Sequence, residues 1–304
     1  MIKALAFGEA LWDVFPGGRK LGGAPLNFCA HLARMGALPY LYSAVGDDGL
    51  GDEIREIAAG MGVLGDFIHI AYGAPTGVCD VTFDKKGEPV YSLPTGVAYD
   101  NIPALEESLR KIGAMSFDSL YFGTLAQRGK KSKLALQEII SRCRFKEIFC
   151  DINLRQDFYS PDLIRFCLES ATILKINRFE RDVLAAMGFA AAGDDSPESL
   201  ADFCRELCIR QGLKIIIVTL DSDGAAAYSR ETDQLLLSGR IPAREISPVG
   251  AGDSFSACFL YNHLKGCDLQ SCLDRANLLG AYVVEFEEAV PDYSADLLRR
   301  IISP

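Results

Sequence analysis

Apolar runs of four to eight residues recur along this chain, separated by longer stretches in which apolar positions return every third or fourth residue. The first pattern predicts strands and the second predicts helices. Strands are predicted at 2–7, 120–123, 147–151, 172–175 and 213–220. The last reads Leu-Lys-Ile-Ile-Ile-Val-Thr-Leu, the nearly unbroken β-branched run expected of a strand covered on both faces. Helices are predicted near 25–35, 52–62, 103–112, 131–142, 161–169, 178–187, 198–211, 252–265 and 268–286. Strand–helix alternation implies an α/β fold, a central, mostly parallel sheet with helices on both faces. Ligands of such sheets bind beyond the carboxyl ends of the strands.

Two stretches break the rhythm. Residues 13–20 are turn-rich around Pro16-Gly17-Gly18, and 76–97 alternate like a hairpin around Asp84-Lys85-Lys86-Gly87. They predict a small β appendage outside the main sheet, either a lid or a plain surface hairpin. No repeat or low-complexity tract appears, and 190–195 reads as a loop, so one α/β domain over 1–304 is expected. A hydrophobic share of 49% with 24% charged residues suits a packed core. The net charge of −10 argues against nucleic-acid and anionic-membrane partners, which call for basic patches. No apolar run approaches the roughly 18 residues of a membrane span. The ten cysteines form no CxxC pair and sit in apolar surroundings such as Ile148-Phe149-Cys150, so they read as small hydrophobes. With a first segment that reads as a strand and not as a signal peptide, they point to a reducing cytoplasm.

The chemistry concentrates at 248–255, Pro-Val-Gly-Ala-Gly-Asp-Ser-Phe, which feeds an apolar-periodic helix stopping at Lys265-Gly266. Gly250 and Gly252 allow a ligand to approach the backbone. The unpaired amides of the helix start form an anion site. Asp253 lies at the same end, where the helix dipole favours its ionised form. A carboxylate beside an anion hole suits phosphoryl transfer, taking a proton from the attacking hydroxyl while the amides hold the moving charge. An Asp at this place also serves as an ordinary helix cap, and the loop alone leaves both roles open.

A second motif lies far upstream. Residues 22–36, Gly-Gly-Ala-Pro-Leu-Asn-Phe-Cys-Ala-His-Leu-Ala-Arg-Met-Gly, resemble the N-terminal signature of the ribokinase-like (phosphofructokinase B) sugar kinases, and 248–255 resemble their C-terminal signature. The resemblance spans essentially the whole chain and implies the ribokinase-like three-layer fold with a small β lid. Gly8-Glu9-Ala10-Leu11-Trp12-Asp13, Gly96-Val97-Ala98-Tyr99-Asp100, Phe122-Gly123-Thr124-Leu125-Ala126, Asp151-Ile152-Asn153-Leu154-Arg155 and Lys175-Ile176-Asn177-Arg178-Phe179-Glu180 resemble the fructokinase branch. The resemblance implies that Asp13, Gly22, Gly23, Asn27, Ala98, Asp100 and Gly123 bind a sugar. It implies that Gly250, Ala251 and Gly252 form the anion hole, that Asp253 is the base and that Arg155 reaches the sugar or the phosphate. Lys175, Thr219, Asp221 and Gly224, with Gly250 and Gly252, would hold ATP, and Asn177 and Glu180 would act on Mg2+ largely through water. The residues themselves leave humbler roles open: a turn for Asp13, a helix start for Asn27, a surface ion pair for Arg155, a first-turn acid for Glu180.

Three places depart from the family pattern. Ser247-Pro248 stand where Asp-Thr is usual, Asp221 follows Thr219-Leu220 where Gly is usual, and Glu287-Glu288-Ala289 replace a Gly-Ala turn. The lost carboxylate at Ser247 makes K+ activation doubtful, and Asp221 sets a negative charge near nucleotide phosphates. Small-molecule sugar and ATP are the expected partners. Fructose is the leading acceptor, with 2-keto-3-deoxygluconate, ribose or a nucleoside as alternatives, and a catalytically silent sugar- or nucleotide-binding protein as a reading of another class. Monomer and homodimer both remain open.

Overall fold

The computed structural model describes residues 1–83 and 89–302, so the turn expected at 84–87 lies outside the described residues. The large sheet has nine strands, in chain order β1 (Lys3–Phe7), β4 (Leu38–Gly46), β5 (Leu64–Ala71), β8 (Ser119–Phe122), β9 (Glu147–Asp151), β10 (Ile173–Asn177), β11 (Ile215–Thr219), β12 (Ala225–Ser229) and β13 (Gln234–Ser238). Their spatial order is β13-β12-β11-β10-β9-β8-β1-β4-β5. Neighbours from β11 through β5 run parallel, and β12 is antiparallel to both of its neighbours.

Helices α1 (Ala24–Arg34), α2 (Gly49–Gly60), α3 (Glu106–Met115), α4 (Lys130–Arg142), α5 (Pro161–Ser170), α6 (Arg178–Ala186), α7 (Pro197–Gln211), α8 (Ala251–Leu264), α9 (Leu269–Val283) and α10 (Ala295–Ile302) connect and cover the strands. The core divides in two because side chains of a strand alternate faces. Leu5 and Phe7 belong to one apolar cluster with Leu136, Ile164 and Leu207 from α4, α5 and α7. Ala4 and Ala6 belong to the other with Phe28, Phe259 and Leu279 from α1, α8 and α9. This is the three-layer arrangement the alternation implied.

Local chemistry starts and stops the helices. Asp48, Ser160, Ser196 and Asp268 cap α2, α5, α7 and α9 with side-chain oxygens on backbone amides, and α7 ends at Gly212, φ +79°. The pattern reading missed β4, β5, β12 and β13. Ala225-Ala226-Ala227 carries no strand signature, yet all three are buried in the sheet, where packing decides conformation. The helix foreseen from 103 begins at Glu106, and the one foreseen to 286 stops at Val283.

The remaining strands, β2 (Leu11–Phe15), β3 (Gly18–Gly22), β6 (Gly77–Phe83) and β7 (Pro89–Ser92), form a separate sheet in the order β3-β2-β6-β7. It is mixed: β2 is antiparallel to β3 and parallel to β6, and β6 is antiparallel to β7. Gly8–Ala10 is the whole passage from the large sheet to this one. In the large sheet the chain advances from β1 through β4 to β5 on one side, then from β8 outward on the other. The reversal between β1 and β8 opens a crevice at the carboxyl ends of those strands.

Candidate active site

Side chains reach this crevice from the ends of β1, β8, β9, β10 and β11, and α8 points its N-terminus into it. Gly250 precedes α8 with φ +86°, and a Cβ there would lie 2.8 Å from Ala289 Cα, so only glycine fits. No side chain caps this helix, and among the described residues the amides of Gly252 and Asp253 meet no acceptor. They remain open to an anion.

Asp253 is the third residue of α8. Asn27, buried in the first turn of α1, donates from Nδ2 to Asp253 Oδ2 at 2.8 Å. Burial pushes the Asp253 carboxyl up to about 6; the bond from Asn27 opposes this, Asp151 adds to it, and Lys175 and Arg155 oppose it. Such a group is ionised at neutral pH yet basic enough to accept a proton.

The two signature motifs, 226 residues apart, thus meet in one hydrogen bond. Gly23 holds the start of α1 with φ +109°, and a Cβ on it would lie 2.5 Å from the Glu9 carbonyl oxygen. On Gly22 a Cβ would lie 3.1 Å from Asp13 Cγ, so the Asp13 carboxylate crosses the space that a side chain would fill. Burial raises the Asp13 carboxyl, while Cys79 and Arg155 lower it. Arg155 is exposed, its guanidinium making no ion pair or hydrogen bond among the described residues, and its charge acts on Glu9, Asp13 and Asp253 alike.

Behind the α8 turn lies a buried ion pair, Lys175 Nζ to Asp151 Oδ2 at 2.8 Å. Asp151 Oδ2 also accepts from Ser256 Oγ at 3.0 Å and Tyr121 OH at 3.3 Å. A Cβ on Gly252 would lie 3.3 Å from Lys175 Nζ, so the ammonium sits directly beneath the anion-binding backbone. Burial lowers the Lys175 ammonium's affinity for its proton, but Asp151 outweighs it and the net shift is upward. Sequence reading named Lys175 and passed over Asp151, whose apolar strand gave no sign of a buried charge.

A cleft of about 540 Å³ opens from this point, lined by Asn177, Glu180, Thr219, Asp221, Gly224 and Arg155 together with the apolar Phe255, Ala281 and Val284. Asn177 and Glu180 form a reciprocal cap of α6: Asn177 Oδ1 accepts from Glu180 N, and Glu180 Oε2 accepts from Asn177 N, both at 2.8 Å. Glu180 Oε1 accepts from Leu154 N at 2.8 Å. Both carboxylate oxygens therefore hold amides, and among the described residues no cluster of three or more acidic, His or Cys ligands exists. The donor set fits a Mg2+ carried on nucleotide phosphates and touched through water.

Two expectations need correction. Asp221 lines the cleft with only part of its charge offset, because Arg178 reaches it at 3.5 Å while also holding Asp195 at 2.8 Å and Asp223 at 2.9 Å. Its φ of +53° explains why glycine is usual there, and Asp tolerates that conformation. Asp100 is not brought to the Asp253 group. Arg128 holds its carboxylate at 2.7 Å, and Gly96 N donates to it at 2.8 Å, around a second cavity. Ala98, fully buried, joins neither cavity's lining. Gly123 follows β8, where a Cβ would sit 3.0 Å from the Asp151 carbonyl oxygen.

Sequence reading also missed Glu9. It is 5% exposed where the chain leaves β1, and Ala24 N donates to its Oε1 at 3.3 Å. Burial pushes its carboxyl up to about 7, against an opposing bond from its own amide. The available signal was an acid set between the glycine that ends an apolar strand and the next apolar pair.

All ten cysteines are free thiols, and among the described residues no helix is long and apolar enough to cross a membrane.

Comparison with known proteins agrees with this geometry. The chain is 26% identical over 258 residues to an uncharacterized sugar kinase of Archaeoglobus fulgidus, covering 84% of this chain and 94% of that one. The crystal structure of 2-dehydro-3-deoxygluconokinase from Thermotoga maritima superposes with a TM-score of 0.82 at 20% identity over the full length of both chains. A fructokinase with bound ATP from Xylella fastidiosa gives 0.81 at 20% identity over 99% of this chain and 98% of that one. The model of the pfkB family carbohydrate kinases matches residues 6–294, and the chain belongs to that family, as an ATP-dependent carbohydrate kinase.

Proposed function

We propose that this kinase transfers the γ-phosphoryl group of ATP to a primary hydroxyl of fructose, with Asp253 as the general base. The observation that carries the reading is the Asn27–Asp253 hydrogen bond at the N-terminus of α8, beside amides that no other group holds among the described residues. Asn27 occupies Asp253 Oδ2, so Oδ1 is left to take the proton. The acceptor oxygen attacks the γ-phosphorus, its proton passes to Oδ1, and the bond to the β–γ bridging oxygen breaks to release ADP. The amides of Gly252 and Asp253 and the ammonium of Lys175 beneath them stabilise charge on the moving group. Asn177 and Glu180 would hold a Mg2+ through water, and the ion would supply neutralisation of nucleotide phosphate charge. Asp13 accepts from a sugar hydroxyl, and Arg155 orients the far side of the sugar or the phosphate. The small β sheet acts as a lid, since β2 and β3 carry Asp13 and Gly22 into the site.

A monovalent cation is not required on this reading. Ser247 offers no charge; its Oγ accepts from Val249 N at 3.3 Å. Glu287 pairs with Lys20 of β3 at 3.2 Å instead of turning to the α8 loop.

Arg155, unpaired among the described residues, favours one second reading, a keto-acid sugar whose carboxylate it would bind in a fork. A panel of fructose, 2-keto-3-deoxygluconate, ribose and a nucleoside, each with ATP and with or without potassium, separates the two. Fructose is expected to give the highest kcat/KM, within twofold with or without potassium. A preference for the keto acid transfers the reading to it, and absence of turnover on all four sinks both.

A further inference from the structure

Helix α1 carries Asn27 and has an unusual start. Its N-cap is Gly23, which has no side chain, its first turn contains no acid, and Pro25 contributes no amide. A helix start of this kind lacks the oxygen that Ser, Thr, Asp or Asn ordinarily supplies. The missing acceptor comes from elsewhere: Glu9 Oε1 takes the Ala24 amide at 3.3 Å across 15 residues. The same segments meet a second time, where Gly23 lies against the Glu9 carbonyl. One turn onward Asn27 N donates to Gly23 O at 2.9 Å, and its side chain donates to Asp253.

We propose that Glu9 is a positioning residue, a cap supplied from outside the helix that fixes the first turn of α1 and thereby holds Asn27 against Asp253. Its location gives the contact a second effect. Glu9 sits in the three-residue passage between the large sheet and β2, so its carboxylate ties the root of the small sheet to the helix that orients the base. The dipole of α1 favours the ionised carboxyl here, against the burial that pushes it up. No hydrogen bond joins Glu9 to Asp253 among the described residues; the two carboxyls repel each other through space, and the bonded link between them runs through α1.

The inference rests on Asp253 being the base, and its test separates the two. Glu9→Ala removes the acceptor and is expected to lower kcat/KM for the sugar about tenfold to hundredfold, the range for losing a bond to a charged partner, while KM for ATP stays within twofold. Glu9→Gln keeps an oxygen at the same reach and is expected to restore most of the loss. Glu9→Asp keeps the charge but is one methylene short, and is expected to behave like the Ala variant. Should the Ala variant fail to fold, the Gln and Asp variants decide the matter alone. Adding Glu9→Ala to Asn27→Ala is expected to cost nothing further, because residues acting through one contact are not additive. The proposal is overturned if Glu9→Asp matches the wild type, or if the double variant shows the product of the two single losses. A failure of the base reading appears differently, as turnover retained by Asp253→Asn.

Discussion

Replacing Asp253 by Asn tests the central chemistry with almost no change of shape. In the native site Asn27 Nδ2 donates to Asp253 Oδ2 at 2.8 Å. An amide at 253 keeps that bond only by turning its own oxygen toward Asn27, and its NH2 group then faces the acceptor hydroxyl. That NH2 can donate to the hydroxyl oxygen but cannot take its proton, so no base remains. Loss of a general base costs about 10²–10⁴ in turnover, equivalent to roughly 3–5 kcal/mol at 1.36 kcal/mol per decade. Sugar KM is expected to change about threefold at most, since Asp13 and the glycines stay in place. The pH profile supplies a second measure. With a carboxyl near 6, wild-type kcat/KM is expected to hold above pH 7 and to fall tenfold per unit below pH 6. The variant is expected to lose the limb near 6 and to keep only the weaker dependence that the Glu9 carboxyl, near 7, contributes. Initial rates of ADP release from pH 5 to 8 measure both. Variant turnover within threefold of wild type, or an acid limb near 6 that survives the substitution, refutes the assignment.

Two further outcomes follow from the packing. Gly250→Ala forces a Cβ to within 2.8 Å of Ala289 Cα at φ +86°; the left-handed conformation alone costs about 1–2 kcal/mol, so a lower melting temperature and weakened ATP binding are expected, and calorimetry together with nucleotide titration reads both. Lys175→Met strands the Asp151 carboxylate in the interior, which costs about 3–5 kcal/mol; adding Asp151→Asn is expected to recover part of the stability in denaturant titrations but not the turnover, since the ammonium under Gly252 stays lost.

How much of this was legible in the chain follows from the range of each interaction. Periodicity fixed the strand–helix alternation, and glycine placement fixed the α8 turn, because both are local: they depend on which side chains neighbour one another and on which φ a residue tolerates. The Gly-Ala-Gly-Asp turn was therefore readable from its own residues, whereas the Gly-Gly half came from the resemblance to the ribokinase-like kinases. The poly-alanine strand β12 escaped because burial in the sheet, and not propensity, makes it a strand.

What only the tertiary structure decided are the pairings between distant segments. Asn27 with Asp253, Lys175 with Asp151, Arg178 with Asp221 and Arg128 with Asp100 join residues 24 to 226 positions apart. Those contacts tied Asp100 to Arg128, gave Asp221 a share of a counter-charge, and set Asp151 beneath the α8 turn. A sequence records which groups a chain owns. Which charge faces which, and how far burial shifts it, is set by the sheet order that brings the ends of β1, β8, β9 and β10 side by side.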